Sequence, residues 1–278
     1  MNRRELIRLG TVTLSGAVLA SACGAQPNVE SSGNVASAGT AVPNDVTPQD
    51  VVADYLQNPN PNASDELKNE VDVVLLRTAA SLEESVSSLY DAIVDVDGLL
   101  GGNAAALLRR FRDDHRRHAD AVNALVRAAG GSAWTKSNPR IDDRYFVPAR
   151  AAVNGDGNPD AAVDAVVLAH AAESLAGQTY QGVVGMLTSA SLRAAAIGVG
   201  QEEARHAVVL AQFLNPGYAG VTPAVDADGR PTIASVPSTF GTLSSVQVRL
   251  GDPGDTGTKQ TFIFETPSLN SLIYTSMS

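Results

Sequence analysis

Glu203-Ala204-Arg205-His206 sets an acid and an imidazole three residues apart in a stretch of helical pattern. Three residues is close to one helical turn, so the two side chains leave the same face, about 5–6 Å apart. Val199, Ala207, Leu210 and Leu214 lie along that face, which is apolar apart from this pair. An acid on a buried stripe is costly unless it is paired or bound to a metal. The pair therefore demands partners from other helices. That demand narrows the fold: several long helices must each bring a polar residue to one point in a core.

The rest of the chain supplies such helices. A helix predicted over residues 65–94 has the inner face Leu76, Ala80, Glu83, Val86, Tyr90 and Ile93. Glu84 falls with Arg77, Ser81, Ser88 and Asp91 on its polar side. A helix over 160–187 has the inner face Val166, Ala169, His170, Glu173, Gly177, Tyr180 and Val184. Glu83 precedes Tyr90, and Glu173 precedes Tyr180, by the same seven-residue offset. A helix over 103–129 carries His115-Arg116-Arg117-His118, and one over 191–214 carries the opening motif. Aligning His118 with His206 puts His115 where Glu203 stands. The chain reads as two helical hairpins, each giving one single ligand and one i, i+3 pair.

His118 or His206, taken alone, is better read as a hydrogen-bonded core residue. Their recurrence at equivalent points of two hairpins favours a metal role. Without metal, Glu83 and Glu173 need hydrogen bonds from tyrosine or histidine. His170, one turn before Glu173, is either a further ligand or the donor that orients Glu173. Tyr90 and Tyr180 read as packing and hydrogen-bonding residues. The Asp, Asn and Gly run at 154–160 lacks the terminal glutamate of a calcium loop and reads as a turn.

The links agree with a bundle. A short Gly-rich stretch joins the first two helices, and residues 188–191 join the last two, which makes antiparallel neighbours. About 30 residues separate the hairpins, too many for a turn. Trp134, Tyr145 and Phe146 in that crossover are expected to cover one side of the bundle.

Glu-x-x-His projecting into a four-helix core with one long crossover resembles the ferritin-like superfamily over residues 65–214, and most of all its exported bacterial branch, which is similar to plant desiccation-related proteins. The resemblance implies a mostly α, ferritin-like four-helix bundle over 46–214 holding iron or manganese. Carried over by position, it implies metal ligands at Glu83, His118, Glu173, Glu203 and His206. His115 is the departure, because the family places a bridging glutamate there. A neutral imidazole cannot bridge as a carboxylate does, so a mononuclear or nitrogen-richer site stands beside the di-metal one. Asp114 substitutes for that carboxylate only after a small rotation of the helix.

The N-terminus speaks of location. Arg3-Arg4-Glu5-Leu6-Ile7 precedes an uncharged run from Leu9 to Ala22. Basic start, apolar middle and small residues before a cleavage point make a signal peptide over 1–22 rather than a membrane span. The arginine pair resembles a twin-arginine signal. Cys23, the single cysteine, follows Ala20-Ser21-Ala22 and looks like a lipidation site, since it has no disulfide partner. A cut at the same bond by an ordinary signal peptidase is the alternative. Residues 23–45, rich in Ser, Gly, Asn, Ala and Pro, form a tether, and a short helix follows over 48–56.

Beyond residue 214 the chain turns Gly-, Pro-, Thr- and Ser-rich. Val246 to Leu250 and Thr261 to Glu265 alternate apolar and polar residues around a turn-dense loop at 251–257, which reads as a β-hairpin. The extension over 215–278 has too few apolar residues for a core of its own and is expected to pack on the bundle.

Thirty acidic against twenty basic residues give a formal charge of −10, which argues against nucleic acid as a partner, since phosphate contacts need clustered Lys and Arg. The exception, Arg109, Arg110, Arg112, Arg116 and Arg117, is expected to face solvent and pair with Asp113, Asp114 and Asp120. Two functional classes follow: an envelope metal-handling or redox protein using one or two ions, and a metal-free bundle kept as an envelope binding or stress-protection module. A closed iron-storage shell fits poorly with an anchor, a tether and a β-rich tail.

Overall fold

The computed structural model describes residues 47–96, 98–227, 229–235 and 245–274. The expected signal peptide and tether, and Cys23, lie outside the described residues. Helix α1 (Pro48–Gln57) opens on a reciprocal cap: the Thr47 hydroxyl accepts from Asp50 N, and the Asp50 carboxylate accepts from Thr47 N. Helix α2 (Asp65–Val94) starts at Ser64, whose hydroxyl accepts from Leu67 N, with Asp65 and Glu66 at the positive end of the helix dipole.

Helix α3 (Gly102–Ala128) turns back along α2. The crossover then runs without regular structure to Asn138 and continues as a single helical turn, α4 (Pro139–Ile141), a π-helical turn (Asp142–Phe146) and α5 (Val147–Val153). Helices α6 (Ala161–Met186) and α7 (Ala190–Leu214) form the second hairpin across a link of residues 187–189. The two hairpins pack α2 against α6. After one further turn, α8 (Tyr218–Val221), strands β1 (Ser245–Leu250) and β2 (Gln260–Glu265) pair antiparallel from Ser245↔Glu265 to Leu250↔Gln260.

Helix α6 is apolar nearly all round because it is covered nearly all round, by α2, α5, α7 and β1. The hairpin turns Val248, Leu250, Phe262 and Phe264 inward at period two, and all four are buried in the same core as α2 and α6. Tyr145 and Phe146 meet Phe264 at centroid distances of 5.5 and 5.9 Å. These crossover aromatics thus sit between bundle and hairpin. The described residues all fall in one compact unit. Among the described residues no helix is long and apolar enough to cross a membrane.

One part of the expected α2 pattern is wrong. Arg77 and Ser81, assigned to the solvent side, are 6% and 0% exposed. The crossover and the C-terminal tail lie over that side. Trp134 covers the Arg77 guanidinium, 5.2 Å from the ring centroid. Asn138 Nδ2 donates to Ser81 Oγ and to the Ser271 carbonyl, and Ile273 N donates to Thr78 Oγ1. Periodicity within one helix cannot foresee a strap from 195 residues away. Ser88 and Asp91 do stay at least partly exposed.

Candidate metal centre

Each long helix brings its share to one point. Glu83 comes from α2, His115 and His118 from α3, Glu173 from α6, Glu203 and His206 from α7. Glu83, His115, Glu173 and Glu203 are fully buried, and the outer two histidines are 7% exposed. Gly200, one turn before Glu203, lets α7 approach α6: a Cβ there would stand 2.7 Å from that of Tyr180.

The six residues form two overlapping groups of possible metal ligands, Glu83–His115–His118–Glu203 and His115–Glu173–Glu203–His206. Within the first, His115 Nδ1 lies 2.6 Å from Glu83 Oε2, and His118 Nδ1 lies 2.6 Å from Glu203 Oε1. Within the second, His115 Nε2 is 3.1 Å from Glu173 Oε1, and His206 Nδ1 is 3.3 Å from Glu173 Oε2 and 3.5 Å from Glu203 Oε2. Glu203 and His115 belong to both groups.

The outer histidines share one further habit. Each turns Nδ1 inward and Nε2 outward to an acid: Glu202 Oε2 at 2.9 Å for His118, Asp114 Oδ2 at 3.3 Å for His206. Imidazoles that bind metal commonly have their second nitrogen held by a carboxylate in this way. Phe111 stacks on His206 at 3.9 Å. Tyr90 donates a short hydrogen bond to Glu173 Oε1. The matching Tyr180 faces Glu83, but its hydroxyl makes no hydrogen bond of good geometry to Glu83 or to any other described residue.

Charges in this enclosure govern one another. Burial pushes the Glu83 carboxyl up, but hydrogen bonds from His115 and His118 outweigh it and leave the group at about 2. Burial pushes His118 and His206 down, and the facing carboxylates return them to about 11 and about 9. His115 is likewise raised, against its burial, by Glu203 and Glu173. Glu203 is raised, by burial first and then by its acidic neighbours.

Even so, the cluster leaves buried ligand atoms without hydrogen bonds: Glu83 Oε1, Glu173 Oε2, Glu203 Oε2 and His206 Nδ1. Buried polar atoms in native proteins are nearly always satisfied. Orphaned oxygens and a nitrogen, all from metal-ligating residue types and all within two groups that converge, fit a metal.

Three expectations differ from the geometry. His170, expected as a ligand or a donor to Glu173, instead directs Nε2 at the Ser235 carbonyl, 3.0 Å away. Asp114 faces the outer nitrogen of His206 and is tied to Arg110 and Arg117, so it does not replace a carboxylate at His115. The arginines pair not only with Asp113 and Asp114 but with Asp91 of α2, which takes both Arg112 and Arg116. A cavity of 530 Å³ between α6 and β1 reaches His170 but none of the six core residues.

Glu202 and Asp114 escape a reading based on i, i+3 pairs. A signal for them exists: each is the acid immediately before the first member of its pair, in Asp114-His115-x-x-His118 and Glu202-Glu203-x-x-His206. Each serves the histidine of the other hairpin.

A family model for the ferritin-like domain matches residues 71–216, a span that contains all six core residues. Comparison with curated proteins and with solved structures found no match.

Proposed function

The chain belongs to the ferritin-like domain family, and from that membership we propose that it is an exported metal-handling protein holding iron or manganese in its bundle core. Carboxylate and imidazole donors suit those metals. One observation carries the reading: two groups of four buried ligands share Glu203 and His115, and the atoms facing one another include four without hydrogen bonds.

Glu83 and His118 would hold one ion, Glu173 and His206 a second, with Glu203 able to offer one oxygen to each. Tyr90 fixes the carboxylate plane of Glu173. Glu202 and Asp114 fix the rings of His118 and His206. Burial keeps bulk water from the carboxylates, and the slight exposure of His118 and His206 marks the α3–α7 side as the approach. Iron or manganese bound there would supply redox chemistry toward dioxygen, peroxide or ferrous ion. The signal sequence and Cys23 support a place outside the cytoplasmic membrane, held by a lipid anchor.

The second reading, a metal-free envelope scaffold, has its own support. Three imidazoles raised by their neighbours face three carboxylates, so protons alone bring the core close to neutrality. Metal content decides between them. Protein purified without added metal, then reconstituted with ferrous or manganous ion, is expected to hold one or two ions per chain. Glu203→Ala/His206→Ala is expected to lose them. No metal in the reconstituted wild type leaves the scaffold.

A further inference from the structure

We propose that His115 bridges two metal ions, one on each ring nitrogen, in the position where a bridging carboxylate would otherwise stand. The inference rests on the metal-binding reading above and specifies how its two ligand groups are joined.

The ring sits between the groups with one nitrogen in each. Nδ1 faces Glu83 at 2.6 Å, and Nε2 faces Glu173 at 3.1 Å and Glu203 at 3.6 Å. A histidine that serves one ion turns its second nitrogen to a carboxylate or carbonyl outside the site, as His118 and His206 do here. His115 has no such outer partner: both of its nitrogens face residues of the ligand groups. The ring is fully buried, with the Tyr90 ring 5.5 Å away in stacked orientation and the His118 and His206 rings edge-on at 6.0 and 5.9 Å. It is enclosed in the one orientation that serves both groups. Asp114, the acid nearest in sequence, is engaged by His206, Arg110 and Arg117 and offers no substitute.

Charge points the same way. Two divalent ions bring four positive charges to a dry core, and Glu83, Glu173 and Glu203 return three. A ring bound through both nitrogens carries no ring proton and one negative charge, which completes neutrality in a core where an unpaired charge is costly. The protons it gives up pass to solvent as the ions enter, and no electron is transferred.

The test uses the full chain and manganous ion as the probe, with metal counted per chain and electron paramagnetic resonance reporting coupling between ions. Wild type is expected to hold two ions with an exchange-coupled signal. His115→Ala, checked for an intact fold by its thermal transition, is expected to lose that coupling and at least one ion. Added imidazole is expected to restore both, and 1-methylimidazole, which has one free donor nitrogen, is not. His115→Gln, which keeps a polar side chain in the core, should also lose coupling if His115→Ala does not fold. Two coupled ions in His115→Ala or His115→Gln without added ligand, equal rescue by 1-methylimidazole, or a single ion in wild type would each overturn the bridge while leaving metal binding intact. A wild type that takes up no manganese or iron overturns the metal reading itself, and the bridge with it.

Discussion

Glu202 Oε2 lies 2.9 Å from Nε2 of His118, on the side of the ring away from the core, although the two residues belong to different hairpins. The hydrogen bond from His118 is what pulls the Glu202 carboxyl below its ordinary range. Asp114 and His206 repeat the arrangement with the hairpins exchanged, at 3.3 Å. Each hairpin therefore completes the other's histidine, and the two halves of the site cannot be assembled independently.

Removing that support should weaken metal binding without unfolding the protein. Such outer partners are typically worth about 10–100-fold in metal affinity. Glu202→Ala is expected to lose that factor in manganese affinity, measured by competition with a chelator. Its side chain is 40% exposed, so stability should change by no more than about 0.5 kcal/mol. Asp114→Ala should lose a similar factor and also stability, because Asp114 is buried and anchors Arg117. Unchanged affinity in both variants would show that the outer carboxylates do not orient the rings.

The two core tyrosines are equivalent by position and unequal by contact. Tyr90 donates to Glu173, whereas the Tyr180 hydroxyl is buried without a hydrogen-bond partner among the described residues. A hydrogen bond to a charged group is worth about 1.5–3 kcal/mol. Tyr90→Phe should destabilise metal-free protein by about that amount. Tyr180→Phe removes an unsatisfied polar atom and should be neutral or slightly stabilising. Urea midpoints in the presence of chelator compare the two. Equal losses would mean that Tyr180 closes a bond in solution.

His170 gives the metal-free fold a pH dependence of known sign. Burial holds its imidazole at about 4, against 6.5 for the free side chain, despite the Ser235 carbonyl and Glu173, which favour the charged form. Between those values the unfolded chain takes up a proton that the native state refuses. Its contribution is therefore present above pH 6.5 and is lost as pH falls toward 4, on the order of 3 kcal/mol in all and about 2 kcal/mol by pH 5. His170→Gln should flatten the fall in urea stability between pH 7 and pH 5 by that amount. A parallel fall in wild type and variant would place the acid sensitivity elsewhere.

The four long helices and the hairpin strands were legible within about a residue at each end, because their faces follow periods of 3.6 and 2 and their ends carry turn residues. The convergence of Glu83, His115, His118, Glu173, Glu203 and His206 was legible for a related reason: each is a polar residue on an apolar stripe. What escaped depends on tertiary contact. Arg77 and Ser81 lie on a face that looks solvated until the tail crosses it. His170 shares a face with Glu173, yet Ser235, far along the chain, takes its nitrogen. Glu202 looks like a surface acid because its partner is on another helix.

Asn138 is the point where that distant strap is fastened. It is fully buried. Its Nδ2 donates to Ser81 Oγ at 3.0 Å and to the Ser271 carbonyl at 2.8 Å, and its Oδ1 accepts from Ile141 N at 3.2 Å, capping α4. One side chain thus ties α2, the crossover and the C-terminal tail. Asn138→Ala leaves those partners without it in a site closed to water, and an unsatisfied buried group costs about 1–3 kcal/mol. Allowing for partial relaxation, a loss of about 3 kcal/mol is expected, which for a fold of this size lowers the melting temperature by about 6–12 °C. Saturating manganese binding should persist at low temperature, since the side-chain hydrogen bonds of Asn138 go to Ser81, Ile141 and Ser271 and to none of the six core residues. A melting temperature within about 2 °C of wild type, less than a single kcal/mol for this size, would show that the tail is not held through this residue.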